Sequence, residues 1–160
     1  MKKYVLTENY KINVFGVKLF QIKAVRSFAY IDEGELGGFV EKEDNLDHDG
    51  NAWVHGNAEV YGDARVHGNA EVYGDARVYG NADYCCFLGF GSCNRNTTMF
   101  RDKNNNVMVS CGCFFGTLDE FSAKVQKIHG DSLFGREYKS IVQVARIHFG
   151  LEKEVKDGEC

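Results

Sequence analysis

The chain has 160 residues, a formal net charge of −4, and 44% hydrophobic against 26% charged residues. That length holds one compact domain or two small ones. The acidic balance argues against direct nucleic-acid binding, which favours a basic footprint, and no apolar run approaches the ~20 residues that span a membrane.

The opening Met1-Lys-Lys-Tyr-Val-Leu-Thr-Glu8 soon turns polar, so no signal peptide is expected and the expected compartment is the cytoplasm. Residues 3 to 28 alternate as strands do. Ile12, Val14, Val17, Leu19 and Ile22 are apolar around a turn at Phe15-Gly16, which predicts a hairpin. Ile31 to Val40 is rich in glycine and acid and leads through Asn45-Leu46 into a repeat. Residues 1–47 therefore read as an N-terminal hairpin and cap.

Residues 48–83 are six hexads without a gap. They are His48-Asp-Gly-Asn-Ala-Trp, Val54-His-Gly-Asn-Ala-Glu, Val60-Tyr-Gly-Asp-Ala-Arg, Val66-His-Gly-Asn-Ala-Glu, Val72-Tyr-Gly-Asp-Ala-Arg and Val78-Tyr-Gly-Asn-Ala-Asp. The apolar places alternate by four and two residues, which no helix tolerates. A short strand followed by a tight corner fits, with Gly-Asn or Gly-Asp where positive φ is needed.

Past Asp83 the pattern stops. Residues 84–160 read as an α+β domain of three strands, near 84–90, 97–101 and 107–111, and two helices. Thr117-Leu-Asp-Glu120 is a capping box. Leu118, Phe121, Val125 and Ile128 form the first helix's apolar stripe, and Gly130 ends it. Asp131-Ser132 caps the second helix, whose stripe is Tyr138, Ile141, Val142, Ala145 and Phe149. The tail from Glu152 is charged and expected to fray.

The hexads resemble those of left-handed parallel β-helices, in which three hexapeptides make one coil. Ala24-Val-Arg-Ser-Phe28, Gly34-Glu-Leu-Gly-Gly-Phe-Val40, Asn45-Leu46 and Gly50-Asn-Ala-Trp-Val54 are together similar to a group of bacterial and phage-borne hexapeptide-repeat proteins, often labelled transferases. The resemblance covers roughly residues 17 to 83. It implies a mainly β fold: a short left-handed parallel β-helix with an N-terminal β cap and a small C-terminal α+β domain. Val54, Val60, Val66, Val72 and Val78 would point inward, beside Ala52, Ala58, Ala64, Ala70, Ala76 and Ala82. Stacked coils would put Glu59 over Arg77, Arg65 over Asp83, His55 over Tyr73 and Tyr61 over Tyr79. Aromatic columns of His55, Tyr61, Tyr73 and Tyr79 on outer faces would mark an oligomer interface, and the resemblance implies a homotrimer.

Three chemistries are available. Acyl transfer, which many such β-helix proteins perform, would use His55 or His67 as general base; but both alternate with Tyr at one place of the hexad, as outward surface residues do. The loop Gly89-Phe-Gly-Ser-Cys-Asn-Arg-Asn-Thr-Thr98 offers an anion site. Glycine-rich N–H groups would cradle the charge, Arg95 would fork onto it, and Ser92, Thr97, Thr98, Arg101 and Arg136 would add donors. It lacks the P-loop pattern. His129 reads as a helix C-terminal residue rather than a base. The six cysteines are expected to be free, buried and not bound to metal, because no C-x-x-C pair has zinc spacing. No cofactor is expected.

The reading that follows is a non-catalytic phage-type binding protein in the bacterial cytoplasm. Its expected role is host-defence antagonism by sequestering an anionic, nucleotide-derived small molecule. The rival readings are an inhibitor covering a host protein surface, toward which acidic charge would steer, and a hexapeptide-repeat acyltransferase.

Overall fold

The computed structural model of the chain describes residues 1–152. The hairpin forms as expected. Strands β1 (Tyr4–Ile12) and β2 (Lys18–Ala24) pair antiparallel around a turn in which Gly16 has a φ of 80°. Strand β3 (Leu36–Val40) pairs antiparallel with β2.

The hexads give four two-residue strands: β4 (Trp53–Val54), β5 (Glu59–Val60), β6 (Glu71–Val72) and β7 (Arg77–Val78). They pair at the eighteen-residue spacing, Glu59 with Arg77 and Trp53 with Glu71, both parallel. The inward valines and Ala52, Ala58, Ala64 and Ala70 are fully buried, as the pattern predicts. Ala82 is exposed, because the last hexad ends in a 3-10 turn at Asn81–Asp83.

These strands do not build the expected parallel β-helix. The fold is mixed α/β, with no closed or solenoid sheet among the described residues. Strand β5 pairs in parallel with β3, so β5 and β7 extend the antiparallel β1–β2–β3 unit into one mixed five-stranded sheet. The β4–β6 pair stands apart, and the third side carries only the single bridge Leu46–Val66. The cause lies in the hexad itself. Its Gly-Asn/Asp-Ala corner uses most of the six residues, and six hexads supply too few layers for three continuous sheets.

The N-terminal end is closed by side chains. Lys3 is fully buried, and its Nζ donates to Ala52 O at 2.8 Å and lies 5.0 Å from the Phe28 ring centre. The Tyr4 hydroxyl donates to the carbonyls of Glu43 and Leu46, each at 2.7 Å. Buried Asn45 donates from Nδ2 to Gly62 O at 3.2 Å and Ala64 O at 2.9 Å, tying the cap to the corner of the third hexad.

The other end is closed by a four-stranded antiparallel sheet: β8 (Tyr84–Phe90), β9 (Arg95–Arg101), β10 (Val107–Cys111) and β11 (Phe114–Thr117). Strand β11 is one more than the sequence suggested. Alternation gives this sheet two buried faces. Tyr84, Cys86, Phe100 and Met108 pack into the core of the hexads. Met99, Val107, Val109 and Cys111 pack against helices α1 (Leu118–His129) and α2 (Leu133–His148). Thr117 makes the expected capping box with Glu120, and the Ser132 hydroxyl accepts from Gly135 N. The predicted stripes are buried except for Ile128, which is exposed. The charged tail after Glu152 and Cys160 lie outside the described residues.

Candidate functional site

Val66 points into the core, so its neighbours Arg65 and His67 both face outward on the third side of the hexads. Across the Leu46–Val66 bridge, Asp47 N donates to Val66 O at 2.9 Å, which places Asp47 beside them. Strand β8 then folds back over this side. The Tyr84 hydroxyl donates to Arg65 O at 2.5 Å, and the His67 ring meets the Tyr84 ring edge-on, with centroids 6.3 Å apart. Asp47, Arg65, His67, Tyr84, Cys85 and Cys86 enclose a cleft of about 470 Å³, within the ~300–1,000 Å³ of small-molecule sites.

The groups in this cleft are suited to binding. Burial pushes the Tyr84 phenol and the Cys85 thiol each up to about 12, and also raises Cys86. Both thiols therefore stay protonated, which makes them poor nucleophiles. Asp47 Oδ1 accepts from Asp49 N at 3.2 Å and so has a fixed orientation. A cation from Arg65, an imidazole edge and a carboxylate around one opening can hold an anionic group and a hydroxyl or amine on one ligand.

The Gly89–Thr98 loop does not converge as expected. Gly91 N donates to Glu137 Oε2 at 2.6 Å, so a carboxylate of α2 already occupies the donor meant for an anion. Ser92 is exposed, and Arg95, also exposed, lies across Gly112. Thr97 and Thr98 are buried on opposite faces of β9. Thr97 donates to Cys111 Sγ at 3.1 Å, while the Thr98 hydroxyl accepts from Glu71 N at 3.3 Å. Arg101 sits at the far end of β9, roughly 20 Å from Arg95 at ~3.3 Å per residue. There it donates to Phe149 O at 2.5 Å and pairs with Asp83 at 3.8 Å. Arg136 is exposed in the first part of α2. The six candidates therefore form no single site.

One of the two predicted aromatic columns stacks, and the rings of the other pair are tilted. The His55 and Tyr73 rings are nearly parallel with centroids 4.0 Å apart, and those of Tyr61 and Tyr79 are 5.3 Å apart. As an interface they are largely covered. Tyr61 is buried and only Tyr79 is fully exposed, while Tyr30 stacks on His55 and Phe115 abuts Tyr73. Desolvation lowers the His55 pKa and keeps its ring neutral. His129 packs on Tyr138 at the end of α1. Among the described residues no group of three or more His, Cys, Asp or Glu side chains is placed to hold a metal ion.

Sequence reasoning missed Asp47, Tyr84 and the Cys85–Cys86 pair as cleft residues. It treated Arg65 as a ladder charge and His67 as a candidate base. Their spacing around Val66 does show that they share a face; the return of β8 over that face depends on tertiary packing. No family model and no curated protein matches the chain.

Proposed function

We propose that the chain is a non-catalytic binding protein that sequesters an anionic, nucleotide-like small molecule, as a phage-type antagonist of host defence would. The observation that carries this reading is the 470 Å³ cleft in which Arg65 and His67 meet Asp47 and Tyr84. Arg65 would take a phosphate in a forked, charge-assisted contact. Asp47 would accept from ribose hydroxyls or a base amine, and the exposed His67 ring would lie against the base. Protonated Cys85 and Cys86 support binding over covalent chemistry. This cleft replaces the Gly89–Thr98 loop as the seat of the ligand.

A depletion assay tests the reading. The protein is mixed with linear and cyclic nucleotides and ADP-ribose derivatives, the filtrate is analysed, and the protein is then heated. A compound that disappears and returns intact on heating supports sequestration, and one that returns changed makes the protein an enzyme. Arg65→Ala and His67→Ala should weaken depletion and Arg95→Ala should not; the reverse pattern overturns the site. A protein partner is the second reading, favoured by the exposed Ile12, Val14 and Phe15 at the tip of the β1–β2 hairpin. It becomes the leading one if no compound is depleted.

A further inference from the structure

A second hollow, of about 510 Å³, lies where the His55–Tyr73 column meets β9, β10 and β11. Much of its wall is aromatic, from His55, Tyr73, Phe100 and Phe115, and its two carboxylates are Asp75 and Asp102. No lysine or arginine lines it among the described residues. We propose that this hollow binds an organic cation, an alkylammonium or guanidinium group, held over the half-exposed Phe115 ring beside Tyr73 and neutralised by Asp75.

Three features of the wall favour positive charge. The first is the state of the rings. The Tyr30 and Tyr73 hydroxyls both hydrogen-bond to the Glu71 carboxylate, and they lie 3.0 Å from each other. The two phenols thus hold a carboxylate behind the aromatic wall, and negative charge there favours a cation in front of it. Burial pushes the Tyr73 phenol up to about 12, so it remains a neutral donor. The second is His55, which is desolvated and therefore neutral, so it places no opposing charge in the wall.

The third is the protein's own use of Asp75. Lys103 Nζ sits on Asp75 Oδ2 at 2.6 Å, and Lys103 N donates to Asp75 O at 3.1 Å. An alkylammonium thus already rests on this carboxylate. Both side chains are about half exposed, so the pair is screened and weakly held, and an incoming cation can compete for it. An anion would meet the Asp75 and Asp102 carboxylates here, and Asp102 is already held by Asn104 N, Asn106 N and Asn106 Nδ2, which leaves Asp75 as the group a cation can take. The hollow is separate from the Arg65 cleft, and the proposal does not depend on that reading.

Isothermal titration calorimetry at low salt tests it with choline, agmatine, the peptide Gly-Arg-Gly and 3,3-dimethylbutanol, the neutral isostere of choline. We expect the cations to bind and the isostere to bind at least tenfold more weakly. Phe115 is half exposed, so Phe115→Leu should keep the fold while losing the π face, weakening binding by about five- to tenfold. Asp75→Asn should weaken it as well. Lys103→Ala, which removes the internal competitor, should tighten it several-fold. Tighter binding of Gly-Arg-Gly than of agmatine assigns the cation to a protein side chain, and the opposite order to a free amine; either supports the site. The proposal is overturned if the isostere binds as well as choline, if Phe115→Leu and Asp75→Asn leave binding unchanged, or if neither the parent nor Lys103→Ala binds any cation.

Discussion

Replacing Lys3 with methionine should change how stability depends on pH more than its value at neutrality. The Lys3 side chain is removed from solvent beneath the first hexads, with its amine on Ala52 O. Desolvation by burial lowers its pKa from 10.5 to about 8, against partial opposition from Asp47. Between pH 8 and 10.5 the unfolded chain therefore binds more protons at this site than the folded one, and stability rises with pH across that window. A pKa difference of this size corresponds to ~3 kcal/mol at 1.36 kcal/mol per unit. Lys3→Met removes the charge-burial penalty and also leaves Ala52 O without a donor, which costs about 1–3 kcal/mol. The two effects nearly offset at pH 7. The difference, parent minus Lys3→Met, should then grow by ~3 kcal/mol from pH 8 to 10.5 in urea unfolding. Every other titrating group is common to both proteins and cancels. Parallel curves for the two proteins would show that the Lys3 amine is hydrated or already titrates normally, and the reasoning would fail.

Two corner glycines should respond differently to alanine. Gly56 has a φ of 54° and open space beyond it, so Gly56→Ala should cost only about 1–2 kcal/mol of left-handed strain. At Gly50, with a φ of 66°, a Cβ would lie 2.4 Å from the backbone oxygen of Gly68. Gly50→Ala should therefore cost a further ~1–3 kcal/mol, and equal midpoints in urea would refute the contact. Thr117→Ala removes the cap of α1 and should cost about 1 kcal/mol, read as a lower thermal midpoint. Iodoacetamide at pH 8 should alkylate exposed Cys93 and Cys113 well before Cys85 and Cys86. Mass spectrometry of the modified peptides checks this order, and early loss of Cys85 would contradict its burial.

What could be read from the sequence was what short-range periodicity governs. Val54 to Val78 repeat every six residues and all point inward. The Thr117–Glu120 box and Ser132 mark the helix starts because capping uses neighbours three residues apart. The closure of the hexads into a β-helix was misread, because the repeat specifies each corner but not which sheet its strands will join. Antiparallel β2 and β3 supply an alternative edge, and β5 takes it. Strand β11 was missed because Phe114-Phe-Gly-Thr117 is too short to show alternation. The anion loop failed for a similar reason: Glu137 lies 46 residues from Gly91, and no local pattern places a carboxylate there. Lys3 looks in sequence like any lysine near a chain start, and only the carbonyl of Ala52 gives it a role.

The eighteen-residue offset between paired strands constrains how a chain of this kind can change size. Both ends of the hexads are sealed, by Lys3, Tyr4 and Asn45 at one end and by Tyr84 and Phe100 at the other. Residues added between β5 and β7 would break their pairing and carry β8 away from the place where Tyr84 now reaches Arg65. The segment between β5 and β7 is therefore expected to tolerate substitution at its corners far better than insertion.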